Sequence, residues 1–299
     1  MDLRHLRYFQ AVAEELNFSR AARKLRVAQP ALSRAVMEIE AELGASVFER
    51  TKHYVRLTPA GEVLLHETGV LLERWEDSLR RVKRTAAGEE GELRLGYIGP
   101  PTQSFLGRVL AEYRKKYPLV SIHLEERTPE RVWEMVAKGR LSVAMTRPVL
   151  SHESLGLRTV LLRKERLGVV VTSHHPLAKK RSIPWTALES QPLIVLARRE
   201  GISLHDSVIA SCRQAGFTPY LAETPSLIGT VLRYAEAGSG IGVVPDSVTV
   251  AEKSLTFVPL TPASYVELVL VWQEDLDPPQ AKRFRELLID WKNRGKLWG

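Results

Sequence analysis

The stretch from residue 18 to residue 58 constrains this chain more than any other. It opens Phe18-Ser19-Arg20-Ala21-Ala22-Arg23-Lys24-Leu25, passes through Arg26-Val27-Ala28, and continues Gln29-Pro30-Ala31-Leu32-Ser33-Arg34-Ala35-Val36. Ser19 has the side chain of an N-cap, and Ala21, Ala22 and Leu25 behind it make a compact apolar face, so a short helix is predicted. The three residues that follow leave room only for a turn. Pro30 suits the first position of a second helix, where its missing N–H would have had no partner. Leu32, Ala35 or Val36, Ile39 and Leu43 recur at three- and four-residue steps, which buries one face of that helix, and Gly44 ends it. The opposite face begins with Gln29, Ser33 and Arg34. Polar side chains of that reach, at the N-terminal end of a helix, can meet base edges in the major groove of DNA. Two short helices alone leave a second reading open, the solvated face of an ordinary helical bundle.

The residues on either side favour the first reading. Val47 to Thr58 reads as two short extended pieces around a basic tip, which is a wing. Arg50, Lys52 and Arg56 on it suit phosphates, contacts that position a protein without reading sequence. Residues 2–16 carry Leu3, Leu6, Phe9, Val12 or Ala13, and Leu16 on one face, so a first helix packs behind the pair. The formal net charge of +8 favours a polyanionic partner. Within residues 1–58 the surplus is three, ten Lys/Arg against seven Asp/Glu, so a binding face must come from arrangement rather than bulk charge.

Thr58-Pro59 starts a new element that runs to about Ala87 without internal proline. Leu65, Thr68, Leu72, Trp75, Leu79 and Val82 alternate three- and four-residue steps, and Leu64 and Leu71 widen the seam. An amphipathic helix of this length spans ~43 Å and needs a partner. Packing on its own chain is one account. Dimerisation through Leu65, Leu72, Trp75, Leu79 and Val82 is the favoured one, because Gly88-Glu89-Glu90-Gly91 breaks the helix and reads as a hinge.

From Glu92 the grammar changes to alternating strands and helices. Strands are predicted at 93–98, 120–125 and 141–145, with helices at 105–117 and 129–138. A second unit has strands at 167–172, 193–196, 220–223 and 241–244, with helices at 204–215 and 227–237. An apolar strand at 266–272 and an amphipathic helix at 279–294 close the chain. This order predicts mainly parallel sheets covered by helices.

Several signals are weaker than they look. Gly238-Ser239-Gly240-Ile241-Gly242 follows a helix and precedes a strand, the reverse of a dinucleotide-binding loop, so a tight turn is the better account. His174 and His175 are adjacent, point apart in an extended segment, and lack a third ligand at suitable spacing. Ser203, His205 and Asp206 are close in sequence, whereas a triad needs convergence in space. Cys212 is the single cysteine, which excludes an internal disulfide, and its helical setting reads as a buried small residue rather than a redox sensor. No apolar run approaches the ~18 residues of a membrane span. The charged N-terminus lacks a signal core, so a cytoplasmic protein is expected. No metal, cofactor or catalytic set is expected, and hence no enzyme.

The ordered set Phe18-Ser19-Arg20-Ala21-Ala22, Gln29-Pro30-Ala31-Leu32-Ser33, Phe48-Glu49-Arg50-Thr51 and Leu57-Thr58-Pro59-Ala60-Gly61 resembles the N-terminal domain of LysR-type transcriptional regulators. Gly96-Tyr97-Ile98-Gly99, Leu162 to Leu167 and Ser173 to Leu177 are similar to segments of regulators of aromatic-compound degradation, which respond to benzoate, muconate or chlorinated relatives such as chlorocatechols. The resemblance implies an α/β chain with an all-α N-terminal part. Its parts would be a winged helix-turn-helix at 1–58, a linker helix and hinge at 59–90, and a two-lobed, periplasmic-binding-protein-like effector domain at 91–299. Lobe 1 would take about 91–162 and 267–299, and lobe 2 about 163–266. Also implied are a pseudo-palindromic operator in double-stranded DNA, a homodimer assembling to a homotetramer, promoter activation by altered DNA bending, and RNA polymerase as a partner. The DNA contacts are expected from Ser19, Arg20, Gln29, Pro30, Ser33, Arg34, Arg50, Lys52 and Arg56.

A ligand of such a domain binds between the lobes, outside the carboxyl ends of the strands. Gly99, Pro100, Pro101, Thr102 and Gln103 from one loop, Thr128 from a second, and Ile202 and Ser203 from the other lobe are expected to meet there. A carboxylate would be held by amides and hydroxyls, with its body against Ile98, Phe105 and Pro245. Pro100 departs from the aromatic-acid sensors, which carry a serine at that turn, and leaves the anion to Thr102, Gln103 and Thr128. A solute-binding transport protein would share the two lobes but has no use for residues 1–58. An α/β enzyme would need a convergent polar site that the sequence lacks.

Overall fold

The computed structural model describes residues 1–51, 54–148, 156–248 and 254–297. Chain contacts divide it into two units, Met1–Arg84 and Thr85–Gly299.

The first unit runs α1 (Leu3–Glu15), α2 (Phe18–Leu25), α3 (Gln29–Leu43), β1 (Phe48–Arg50), β2 (Val55–Leu57) and α4 (Pro59–Ala86). The cap of α2 is Asn17 rather than the expected Ser19: the Asn17 side chain accepts the Arg20 N–H at 3.0 Å. The helix starts a residue early because Phe18 belongs to it, and the Phe18 ring meets Phe48 edge-on at 5.8 Å. The turn after α2 closes through Arg26 in the left-handed region, at φ 56°. α3 begins at Gln29, which puts Pro30 second in the helix rather than first and still within the turn that needs no N–H partner. Its buried face is Leu32, Ala35, Val36 and Ile39. Leu43 falls beyond the core and is exposed, as is Leu16, the left-handed C-cap of α1. Gly44 ends α3 at φ 64°, where a side chain would be strained. Phe9, Val12, Ala21, Ala22, Leu32, Val36, Ile39, Val47 and Phe48 form the core of the unit.

The long helix α4 is capped by Thr58, whose hydroxyl accepts the Gly61 N–H at 3.0 Å and donates to the Ser46 carbonyl at 2.7 Å. Leu64 and Leu65 pack on the three-helix core and Leu72 is buried within the unit. Farther along, Trp75, Leu79 and Val82 remain 42%, 40% and 65% exposed.

The second unit contains β3 (Glu90–Tyr97), α5 (Gly99–Thr102), α6 (Leu106–Lys116), β4 (Leu119–Glu126), α7 (Pro129–Ala137), β5 (Val143–Thr146), β6 (Leu157–Thr172), β7 (Ile183–Pro184), β8 (Leu193–Ile194), α8 (Ile202–Gln214), β9 (Leu221–Glu223), α9 (Ile228–Glu236), β10 (Ile241–Pro245), β11 (Leu255–Thr261), β12 (Tyr265–Gln273) and α10 (Pro279–Asn293). The expected hinge is short: β3 starts at Glu90, and a side chain on Gly88 would strike the backbone of Pro279 and Gln280.

Strand order is β4-β3-β5-β12-β6-β10-β8-β9, with β11 on β6. β4, β3 and β5 are parallel to one another, as are β9, β8 and β10. Each trio therefore has its first strand in the middle, with a switch point where the chain leaves to opposite sides. Between the trios lie β6 and β12, two long antiparallel strands. The near half of β6 pairs β12 beside β5, and its far half pairs β10 and β11. These two strands carry the chain from one lobe to the other and back. The pairing slips by one residue between Leu268 and Val269, a bulge at the junction.

Helices cover both faces of each lobe. In lobe 1, α6 and α10 bury Val109, Tyr113, Phe284, Leu288 and Trp291 on one face, and α7 buries Val132, Trp133 and Val136 on the other. In lobe 2, α8 buries Leu204, Val208 and Cys212, and α9 buries Val231 and Ala235. Burial raises the Cys212 thiol to about 11, so little thiolate exists at neutral pH. The glycine cluster 238–242 is the expected turn between α9 and β10. Gly238 has φ 73°, and a side chain on Gly240 would collide with the Pro192 carbonyl. His175 caps a short 3-10 turn, its Nδ1 accepting the Leu177 N–H at 3.2 Å.

Candidate DNA-binding surface and effector cavity

On the first unit the structure describes eight of the nine expected DNA-contacting residues. Gln29, Pro30, Ser33 and Arg34 lie on the first turn and a half of α3, at positions that a helix brings to one face. Gln29 and Arg34 are exposed and Ser33 half-buried. Arg34 makes no ion pair among the described residues. Arg56 is exposed on β2 with its guanidinium over the Tyr54 ring at 4.5 Å. Lys52 lies outside the described residues.

Of the other three, Arg20 and Arg50 are already engaged. Ser19 sits in the first turn of α2, exposed, with its carbonyl accepting from Arg23 Nε at 3.4 Å. Arg20 folds back onto the Glu15 carbonyl and carboxylate. Arg50 bonds Glu40 at 2.6 Å and lies 4.8 Å over the Phe18 ring. Glu40 also accepts the Val47 and Phe48 N–H groups, at 3.0 and 3.3 Å. One carboxylate thus ties α3 to the base of the wing, and Arg50 completes the tie instead of being displayed. Glu40→Ala would leave two backbone N–H groups and a guanidinium without their acceptor, a loss of roughly 2–3 kcal/mol. Arg50→Ala should cost about 1 kcal/mol and leave the salt dependence of DNA binding almost unchanged. Thermal melts followed by circular dichroism and gel shifts over a salt series check both, and a flattened salt slope for Arg50→Ala would return that residue to the phosphate-contacting set.

The same half of α3 is fixed to α1 by His5. Its Nδ1 meets Asp2 at 2.7 Å and its Nε2 meets Glu38 at 2.8 Å. Bonds to Glu38 and then Asp2 raise the His5 pKa, so the clamp is charged through a wider range of pH than a free imidazole would be.

In the second unit the two switch points face a common cavity of about 940 Å³, in the range of sites for small organic ligands. Lobe 1 contributes the residues after β3 (Ile98, Gly99, Pro100, Pro101, Gln103), after β4 (Thr128, Pro129) and after β5 (Arg147). Lobe 2 contributes those after β8 (Leu196, Gly201), after β9 (Ser226, Leu227, Thr230) and at and beyond the end of β10 (Pro245, Val248). Most of the wall is apolar. Thr128, the N-cap of α7, lines the cavity and makes no side-chain capping bond. Arg127, Arg147 and Arg233 reach the wall, against Glu126 and Glu200.

Of the residues expected here, Gly99, Pro100, Pro101, Gln103, Thr128, Ile98 and Pro245 line the cavity. Thr102 does not. It is fully buried, and its hydroxyl faces the carbonyls of Ile98 and Gly99 at 3.0 and 3.1 Å, because the short α5 turns that residue into lobe 1. Phe105 is likewise sealed in the lobe 1 core. Ile202 and Ser203 are set back at the start of α8, and the Ile202 N–H donates to Glu130 Oε1 of lobe 1 at 3.0 Å. His205 and Asp206 converge with Arg198 and not with Ser203, the carboxylate bonding Arg198 at 2.8 and 2.9 Å.

Arg147 is the residue that the sequence reading missed. It follows β5 directly, the position at a strand's carboxyl end that the switch-point rule favours. Its side chain is 7% exposed and pairs with Glu165, which is fully buried, at 2.5 Å. Arg163 pairs with the other Glu165 oxygen at 3.3 Å and with Asp246 at 3.6 Å. Burial holds the Asp246 carboxyl above its ordinary range. The network joins β5 of lobe 1, the crossing strand β6 and the end of β10 in lobe 2.

A winged helix-turn-helix with an exposed arginine on α3, joined to a two-lobed domain with a ligand-sized cavity, defines a DNA-binding regulator with a sensing domain. Residues 3–62 match the bacterial regulatory helix-turn-helix protein of the lysR family, and residues 86–293 match the LysR substrate binding domain. The chain belongs to the LysR family of transcriptional regulators, and it is a regulator rather than an enzyme. It is 34% identical over 290 residues to the HTH-type transcriptional regulator AlsR of Bacillus subtilis, covering 95% of this chain and 94% of AlsR. With BenM of Acinetobacter baylyi it shares 32% identity over 263 residues, 87% of this chain and 86% of BenM. The structure of full-length CbnR complexed with its target DNA aligns at a TM-score of 0.80 and 27% identity, covering 98% of this chain and 100% of that one.

Proposed function

We propose that a small carboxylate held between the lobes controls the action of this regulator at its promoter. The observation that carries the reading is the cavity itself: an apolar chamber at two facing switch points, with Thr128 and the largely buried Arg147 in its wall. A charged head fits those two groups, and an apolar body fits Ile98, Pro101, Leu196 and Pro245. Aromatic acids are one such class, in line with the resemblance to regulators of aromatic-compound degradation. On DNA, Gln29, Ser33 and Arg34 read base edges, with Pro30 setting the start of the helix, and Lys52 and Arg56 contact phosphates. Trp75, Leu79 and Val82, with Leu65 and Leu72 behind them, pair two copies, so that two recognition helices meet a pseudo-palindromic site. Dimers assemble to a homotetramer in the cytoplasm and activate transcription together with RNA polymerase. Residues 1–58, 59–90 and 91–299 are the DNA-binding, linker and effector-binding parts.

A gel shift against promoter DNA adjacent to the gene, with and without benzoate, muconate and short aliphatic acids, tests the whole. One of the acids should change the shift, and Thr128→Ala should weaken its effect about tenfold. Arg34→Ala should cost ~1–3 kcal/mol on the operator and far less on random DNA. Unchanged affinities for both DNAs would remove Arg34 from the base-reading face, and an indifferent response to every acid would remove the carboxylate.

A further inference from the structure

The charges in the cavity wall are paired off with one exception. Among the described residues, Arg127, Arg147, Arg233, Glu126 and Glu200 are the charged residues that line it. Each arginine is held by a carboxylate from outside the wall: Arg127 by Glu125 at 2.7 Å, Arg147 by Glu165 at 2.5 Å and Arg233 by Glu236 at 2.8 Å. Glu200 has Arg199 at 3.2 Å. Glu126 makes no ion pair among the described residues. Its polar neighbour is the Tyr97 phenol, raised above its ordinary pKa by burial and then by the Glu126 charge beside it. The Glu126 carboxylate lies over Gly99, itself in the cavity wall, where an added β-carbon would collide with Oε1. Glu126 is the last residue of β4, and the chain is still extended at Thr128. Alternate side chains of an extended segment share a side, which sets Glu126 with Thr128 and Arg127 with Glu125. A bare carboxylate beside Thr128 would therefore meet a like charge two residues away.

We infer that Glu126 selects the effector, and that the effector is an α-amino acid rather than a simple carboxylate. The inference rests on the reading that a carboxylate binds between the lobes. The carboxylate goes to the side of Thr128 and Arg147, and the ammonium goes to Glu126. Glu126 and Thr128 stand about 7 Å apart along the chain, so the ammonium must sit next to the carboxylate and not at the far end of the ligand. The amino acid's own side chain meets the apolar wall of Ile98, Pro101, Leu196 and Pro245. Discrimination comes from both signs of the same group: Glu126 attracts the ammonium and repels an acid that lacks one.

Calorimetry on the full-length protein with matched pairs tests this: 2-aminobutyrate against butyrate, phenylglycine against phenylacetate, and 4-aminobutyrate as the displaced amine. Wild type should bind the better amino acid at least about tenfold more tightly than its amine-free partner, the effect of one charge-assisted hydrogen bond. 4-Aminobutyrate should gain less than about threefold over butyrate. Glu126→Gln keeps the shape but removes the charge, and should narrow the tenfold ratio to about threefold or less. Glu126→Asp keeps the charge and should keep most of the ratio. Glu200→Gln, whose carboxylate is already paired, should leave it unchanged. A wild type that binds the amine-free acids as well or better overturns the inference. So does a ratio unchanged in Glu126→Gln, lost equally in Glu126→Asp, or lost in Glu200→Gln instead, and so does 4-aminobutyrate binding as tightly as 2-aminobutyrate. Each of these leaves the carboxylate site standing. Failure of every acid to bind wild type or any variant would overturn the carboxylate reading and this inference with it.

Discussion

Glu165→Ala is expected to destabilise the effector-binding unit by about 3–5 kcal/mol. The substitution takes the shared carboxylate from Arg147 and Arg163, whose side chains are 7% and 10% exposed. Two desolvated guanidinium groups would then lose the carboxylate they share, with Asp246 still 3.6 Å from Arg163. Removing one arginine is less severe, because Glu165 keeps the other, so Arg147→Ala should cost less than Glu165→Ala. Urea unfolding of the full chain, followed by tryptophan fluorescence, reads the effect. Trp133 is a suitable reporter, since its indole N–H donates to the Arg147 carbonyl at 2.7 Å. Equal midpoints for Glu165→Ala and wild type would mean that water enters the network and that the ion pairs hold little in place. The network is not required for the fold in principle: an apolar triple of similar volume could be as stable.

Trp75→Ala is expected to weaken self-association by about 2–4 kcal/mol, the loss typical of a central aromatic anchor. Along α4 the large apolar residues Val63, Val70, Leu71, Trp75, Leu79 and Val82 stand between 40% and 65% exposed in the single chain. A stripe of this extent on one helix is unstable in water without a partner. Sedimentation over a dilution series should show the variant dissociating at concentrations where wild type remains associated. Leu65→Ala should behave differently, because Leu65 packs against the core of its own unit and its loss would lower stability rather than assembly. An unchanged dissociation constant for Trp75→Ala would place the seam on another face.

The periodic parts of this chain were legible in the sequence. Helix faces follow from apolar spacing, and Gly44, Gly216 and Gly238 end helices for the same backbone reason wherever they occur. Caps were less legible, since Asn17 and Ser19 are both good candidates and only the packing of Phe18 on Phe48 decides between them. Long-range pairings were not legible. Nothing local distinguishes Arg50, committed to Glu40, from Arg34, left open, because the difference depends on where α3 leaves its carboxylate. The cavity loops were found by topology, and Arg147 could have been found in the same way. Thr102 was misplaced because its hydroxyl has backbone acceptors one turn behind it, which two consecutive prolines bring about by tightening α5. Glu130 carried no signal at all: an acidic residue in the first turn of a helix is ordinary, and its partner lies 72 residues away.

The pair β6 and β12 joins the lobes as a continuous ribbon, paired from Arg166 with Tyr265 to Leu157 with Gln273. Such a ribbon is stiff along its length and against shear, since both would break ladder bonds, and it is compliant in torsion. The bulge opposite Leu268 and Val269 adds local twist at the junction. The lobes are therefore connected as by a torsion bar, not by a free pivot. Rotation of one lobe against the other about the ribbon axis is the motion such a connection resists least.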